Sequence, residues 1–328
     1  MLSPIRLAEQ AICGYRTRRF ALHPQPVFIV GHWQAGHSRL HEILVRDPQF
    51  AYLRLRDCLA PDAARTLKPL FDRHLAKRLP ADRGVDSLKL DLNAPQGDDL
   101  LLASHTSRSI YYAYTFPQAA DTVFNEALLF DRATEDDVVA WKAIYRSAWQ
   151  NVAARQGKPR FVSRNASNTT RIPQLLQMFP EARFIHVHRH PEQLFSAQQR
   201  RWESLTDRWA LQRSNPAELR GHTMVFFERM MKRCLADREV IPAGQLFETS
   251  YERLCEEPLD VLAEAYGQLT LGGFDAARPR FAEFVKSDHG SLATSELSPA
   301  DRDDVRLRWR FAFDEFGYRV TEPQWKTA

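Results

Sequence analysis

The sequence predicts an α/β fold, a P-loop-like central parallel sheet flanked by helices, on three observations. The stretch from Pro26 to Asp47 reads PVFIVGHWQAGHSRLHEILVRD: an apolar run, a loop bounded by glycines, then Leu40, Ile43 and Leu44 at helical spacing. Two more strand-to-helix units follow in tandem, Phe161 to Ser163 ahead of RIPQLLQMF and ARFIHVHRH ahead of Pro191. Tandem units of this kind build parallel sheets, whose ligands lie beyond the carboxyl ends of the strands. Finally, 44% hydrophobic residues among 328, with no long Gly/Ser linker, are enough for one large core.

The first unit is the most informative. Val27 to Val30 is a strand that stops at Gly31, and Asp47-Pro48 ends the helix that follows. The spacing Gly31-x4-Gly36-His37-Ser38 is that of a P-loop, with His37 where the nucleotide-binding Lys would stand. Such a junction aims backbone N–H groups and the positive end of the helix dipole at one point, a cradle for a phosphate or sulfate group. Ahead of it, residues 1–25 form an amphipathic, basic helical segment without an apolar core of signal-peptide type, and 26–328 read as a single domain. The segment can pack on the sheet, or rest on a membrane surface through Leu2, Ile5, Leu7 and Ile12 with Arg16, Arg18 and Arg19 near headgroups.

In order after that, Phe50 to Leu55 reads as a strand, Asp62 to Arg78 as a helix and Leu79 to Asp99 as a loop. Leu100 to Tyr114 reads as one helix carrying His105, Ser109 and Tyr112. The aromatic run from Tyr111 to Phe116 suits an organic acceptor pocket or a core equally. Glu135 to Arg155 is a long helix with Val138, Trp141, Ile144, Tyr145 and Trp149 on one stripe. On the strand around His186, Phe184, His186 and His188 face one way and Ile185, Val187 and Arg189 the other. A pair of Arg-rich helices spans Trp202 to Val240, and a strand runs from Gln245 to Ser250. Helices follow at Pro258 to Leu271 and Phe281 to Val285, then a polar loop, Lys286 to Pro299, with His289 and Gly290. One closing helix has Gly317 as its C-cap.

A formal net charge of +4 and a pI near 8.9 suit a small anionic ligand and fall short of a nucleic-acid-binding arm. Cys13, Cys58, Cys234 and Cys255 lie far apart, which predicts neither a zinc site nor a disulfide framework, but reduced thiols in the cytoplasm. No run approaches the ~20 apolar residues that cross a bilayer. His186 and His188 have a metal-like spacing without a third ligand, so no metal is expected.

The loop resembles the 5′-phosphosulfate loop of sulfotransferases that use 3′-phosphoadenosine 5′-phosphosulfate (PAPS), in the bacterial branch reading GHWRSGTT and then LLHELL. Gly31, His32, Trp33, Gly36, Leu40, His41, Glu42 and Leu44 match, while Gln34, Ala35, His37 and Ser38 replace Arg, Ser, Thr and Thr. Pro95-Gln96-Gly97-Asp98-Asp99 is similar to the family's PQEDE segment beside the acceptor site. The stretch from Arg160 to Trp202 resembles its LLKNPxHTxRIPxLLxxFPDARFIHIxRxP segment. Tyr251-Glu252 matches its YEDL motif, and the end its closing GY.

The resemblance implies sulfonate transfer from PAPS, as co-substrate, to a hydroxyl or amine of a small-molecule, lipid or sugar acceptor. It places Gln34, Ala35, Gly36, His37, Ser38, Arg39, Arg164, Arg189, Ser196 and Tyr251 at the cofactor. Arg189 fills the family's 3′-phosphate position, while the serine expected eight residues later is Ala197, with Ser196 one residue early. His37, Asp99 and His105 are candidate bases, with Asp98 as a rival. The altered loop leaves open a different donor and reaction, or a noncatalytic binding protein on the same fold.

Overall fold

The computed structural model describes residues 17, 19–61, 66–80, 90–287 and 297–320. Most of the amphipathic segment, the start of the helix expected from Asp62, and the His289–Gly290 loop lie outside the described residues. Five parallel strands run in the order β2-β3-β1-β4-β5: β1 is Val27–Val30, β2 Phe50–Ala51, β3 Arg160–Arg164, β4 Arg183–His188 and β5 Leu246–Ser250. β1 is central because all four of its side chains are apolar and buried, as a strand covered on both faces requires. The chain leaves β1 toward one edge and later crosses back to the other side. Its carboxyl end is therefore the topological switch point at which α/β sheets bind ligands.

Alternation along the strands divides the core. Phe28, Phe161 and Phe184 face one layer of helices, and Val27, Ile29, Val162, Ile185 and Val187 the other. On the first face lies α5 (Glu135–Gln156), with Trp141, Tyr145 and Trp149 inward; short helices α2 (Leu55–Leu59), α3 (Asp98–Leu102) and α4 (Tyr111–Thr115) precede it. Thr134 and Asp137 close a reciprocal capping box at the start of α5, and Gly157 ends it at φ 65°. The same layer receives α6 (Ile172–Met178), α7 (Pro191–Trp209) and α8 (Pro216–Asp237). The opposite face is covered by α1 (His37–Leu44), α9 (Tyr251–Glu256), α10 (Pro258–Gln268) and α11 (Phe274–Ser287). Each fully buried aromatic or branched side chain contributes about 1.5–3 kcal/mol of apolar burial.

Four boundaries differ from the sequence reading, each for a local reason. β2 ends at Ala51 because the next residues pair elsewhere: the Leu55 amide donates to the Ala94 carbonyl at 3.1 Å, and the Gln96 amide to that of Leu53 at 2.8 Å. The single helix expected over Leu100 to Tyr114 is two, α3 and α4. Between them the Ser109 hydroxyl takes the Asp99 carbonyl (2.9 Å) and the Tyr112 hydroxyl that of Ala103 (3.0 Å), the competition by which side chains interrupt helices. The piece expected over Phe281 to Val285 is part of the longer α11.

The closing helix divides into α12 (Pro299–Arg308) and α13 (Arg310–Glu315) at buried Trp309, whose indole donates to the Met224 carbonyl at 3.1 Å. Gly317, at φ 69°, then ends it as expected, and the Tyr318 amide reaches back to the Phe313 carbonyl. Among the described residues no helix is long and apolar enough to cross a membrane.

Candidate active site

Three strand ends and one helical turn converge on the loop between β1 and α1. Gly31 (φ 132°), Gln34 (φ 67°) and Gly36 (φ 107°) all take left-handed backbone conformations. Gly36 has little choice of residue: an added Cβ would stand 2.3 Å from Cδ2 of Tyr251, whose ring lies against it at the end of β5. From the 3₁₀ turn after β3, the Thr169 hydroxyl accepts from the Gly31 amide at 2.7 Å and donates to the Gly31 carbonyl at 2.8 Å. Arg164 ends β3 and donates to the Ser38 hydroxyl at 2.5 Å. Arg189, just past β4, donates to the Gln34 carbonyl at 3.2 Å and lies 4.6 Å over the Tyr251 ring.

This arrangement points at an anion. No side chain caps α1, and the first helical bond runs from the Leu40 amide to the Gly36 carbonyl, so the amides of the opening turn face outward from the helix end. Arg189 is buried, and its Nε has no hydrogen-bond partner among the described residues. An uncapped helix start beside a buried guanidinium nitrogen in want of an acceptor fits a phosphate or sulfate group.

The other predicted residues are placed as follows. Ala35 packs into the main core, and its amide closes a turn on the His32 carbonyl at 3.1 Å. Arg39 is buried in the first turn of α1. Ser196 accepts from Nη1 of Arg200 at 2.8 Å, one turn along α7, and Ala197 is buried beside it.

His37 lies under the loop: an added Cβ on Gly31 would stand 3.0 Å from its Nε2. Burial above all, then the nearby Arg164 charge, pushes its pKa down to about 3, against a smaller opposing pull from the Gly31 carbonyl. The ring is therefore neutral at pH 7. Burial pushes His32 down to about 3 as well; its Nδ1 meets the Trp33 carbonyl at 3.0 Å. His105 is half-buried, with Nδ1 3.2 Å from the Leu101 carbonyl.

Asp99 points into a buried network, accepting from the Asn165 amide at 3.2 Å and the Ser167 hydroxyl, with Nη1 of Arg171 at 3.7 Å. Its neighbour Asp98 accepts at one oxygen from the hydroxyls of Tyr145 (2.5 Å) and Ser163 (2.6 Å) and the Asn168 amide (3.3 Å). Burial raises Asp98 to about 6, and those donors only partly offset it. Sequence reasoning missed Thr169, Ser163, Ser167, Asn168, Tyr145 and Arg171. The signal was the run Asn165-Ala166-Ser167-Asn168-Thr169-Thr170, small polar residues following a buried strand without glycine or proline.

The remaining side of the loop is aromatic. Trp33 shares a hydrophobic cluster with Ile110, Tyr114, Phe124, Trp202 and Phe226. Ring contacts run on from Trp202 to Tyr114 (4.8 Å), Tyr114 to Tyr111 (5.9 Å) and Tyr111 to Trp209 (4.9 Å), and Trp209 is 40% exposed. The aromatic run is thus core at Tyr114 and reaches the surface beyond Tyr111. His186 and His188 are engaged with Glu248 and Tyr318 (2.8 Å each).

Residues 26–275 match the sequence profile described as the sulfotransferase family. The omega-hydroxy-beta-dihydromenaquinone-9 sulfotransferase Stf3 of Mycobacterium bovis is 26% identical over 324 residues, which span 98% of this chain and 82% of that protein. The crystal structure of sulfotransferase STF9 from Mycobacterium avium superposes with a TM-score of 0.75 at 17% identity, covering 96% of this chain and 83% of that one. STF1 from Mycobacterium tuberculosis H37Rv gives 0.69 at 20% identity, over 93% and 81%. At such identities the likeness of the two structures is one of fold. With the profile matched over most of its length, the chain belongs to the sulfotransferase family and is a transferase.

Proposed function

We propose that this enzyme transfers a sulfonate group from PAPS to a hydroxyl of a lipid-like small molecule. The observation that carries this reading is the uncapped start of α1 opening beside the buried guanidinium of Arg189. The amides from Gly36 to Ser38 hold the departing 5′-phosphate, with Arg164 and Ser38 beside the sulfonate and Arg39 adding positive charge to the first turn. Arg189 takes the 3′-phosphate, on a shelf formed by Tyr251, with the Ser196–Arg200 pair alongside. Gln34 and Ala35 contribute the backbone turn.

Bound PAPS supplies a sulfur already joined to a good leaving group. The acceptor oxygen bonds to sulfur as the bond to the phosphate oxygen breaks, and the acceptor's proton passes to a base, so positioning carries most of the rate. We assign that base to His105. With Nδ1 donating to the Leu101 carbonyl, its lone pair resides on Nε2. Asp99 is committed to Asn165, Ser167 and Arg171, and His37 is a neutral strut beneath the loop. The aromatic row from Trp33 to Trp209 supports an apolar acceptor, as does the hydroxylated menaquinone derivative named for the Mycobacterium bovis relative.

Calorimetry tests the donor. PAPS and its desulfonated product, adenosine 3′,5′-bisphosphate, should bind tightly and ATP weakly; silence with the first two would remove the donor assignment. Arg189→Ala should weaken the bisphosphate by about 10- to 100-fold, the value of one or two charge-assisted hydrogen bonds. Unchanged affinity would put the 3′-phosphate elsewhere. His105→Ala should lower kcat about 100-fold, the lower end for general-base catalysis, with donor affinity unaltered. Full turnover in that variant would take His105 out of the mechanism.

A further inference from the structure

Arg189 is held from both sides by groups that do not face the loop. The residue before it, His188, has Nδ1 2.8 Å from the Tyr318 hydroxyl, and the backbone amide of the residue after it, His190, donates to Oε1 of Glu252 at 3.0 Å. The two attachments join, because the Tyr318 hydroxyl donates to Oε2 of the same Glu252 at 3.0 Å. With that proton committed to the carboxylate, the hydroxyl is the acceptor for His188, whose Nδ1 then carries the hydrogen.

Aromatic packing fixes the brace further. The His188 ring stacks on Phe316 at 4.4 Å and 9°, and the His190 ring meets Tyr318 at 5.2 Å. Glu252 also follows Tyr251, the ring beneath the Arg189 guanidinium. One carboxylate and one phenol therefore link the segment that follows α13, the start of α9 and the peptides on either side of Arg189.

We propose that Glu252 and Tyr318 are positioning residues that set Arg189 for the 3′-phosphate of the nucleotide. This rests on the donor reading above and extends it to a pair that touches neither nucleotide nor acceptor. Without the phenol hydroxyl, His188 loses its acceptor and Glu252 loses a donor. The Arg189 backbone is then held on one side only, while the packing of Phe316 on His188 and of Phe313 on His190 (5.5 Å) persists.

The test compares two probes, adenosine 3′,5′-bisphosphate and adenosine 5′-monophosphate, by calorimetry on the full chain. The proteins are wild type, Tyr318→Phe, Arg189→Ala and the double variant, with melting temperatures recorded for each. Tyr318→Phe should weaken the bisphosphate about fivefold to tenfold, as loss of a hydrogen bond does, and change the monophosphate less than about twofold. In the Arg189→Ala background the same substitution should have no further effect, since coupled residues are not additive.

Equal loss for both probes, no loss for either, or a full additional loss in the double variant would each overturn the positioning role. Glu252→Gln is the second variant. It retains an acceptor for the His190 amide, and the same selective loss is expected from it. Wild type that binds neither probe would instead overturn the donor assignment, an outcome distinct from a wild type that binds and variants that match it.

Discussion

Acidification from pH 7 to pH 4.5 should remove about 6 kcal/mol of folding stability, through three buried histidines set against one buried carboxyl. His32 and His37 are each held by burial near a pKa of about 3 in the fold, against 6.5 when exposed. Between those values the unfolded chain binds a proton that the folded one refuses, so stability falls as pH falls through 6.5 and continues to fall toward about 3. At pH 4.5 the pair withdraws about 5 kcal/mol, at about 1.4 kcal/mol per unit for each ring.

Asp98 acts in the opposite sense. Its carboxyl is raised to about 6, so the penalty for ionising it inside the fold disappears below that pH, returning about 2 kcal/mol. His188, lowered to about 4, withdraws about 3 kcal/mol more over the same interval. Urea unfolding at the two pH values measures the difference, and His37→Asn should flatten it. A denaturation midpoint that does not move with pH would refute the burial argument.

Arg171→Met should destabilise the fold by about 3–5 kcal/mol, the consequence of stranding a buried carboxylate. The Arg171 side chain is completely buried, and its guanidinium serves Asp99, the Ala127 carbonyl and, at 4.9 Å, the Trp141 ring. Methionine fills much of the volume but leaves Asp99, among the described residues, with Asn165 and Ser167. Adding Asp99→Asn to the same chain should recover part of the loss, because the uncompensated charge is then gone. A shift below 1 kcal/mol in urea unfolding would mean that the pair is solvated.

The scaffold of this enzyme was legible where one physical rule governed a stretch alone. Val27 to Val30 had to be a strand, and the Gly31-to-Gly36 spacing a loop, because an apolar run and a pair of glycines decide those choices locally. Gly317 ended a helix for the same local reason. Periodicity failed at Leu100 to Tyr114 and at Trp309, where a hydroxyl or an indole from the chain itself redirects the backbone.

The site was harder to read. Arg164, Arg189 and Tyr251 do meet at the loop, but whether a polar side chain faces a ligand or the interior depends on the elements packed around it. Asp99 and His37 turn inward, beside residues from the turn after β3 and from the residue that follows β1. No local pattern in the sequence carries that information.

The grips on the loop come from far along the chain: Arg164 lies 126 residues beyond Ser38, Thr169 138 beyond Gly31, and Arg189 155 beyond Gln34. During synthesis, then, the loop between β1 and α1 exists first as a slack tether. It gains its shape only after the middle of the polypeptide has left the ribosome, and Tyr251 completes it later still. A truncated nascent chain ending before β4 should retain no nucleotide on an affinity resin, however long it is given to fold.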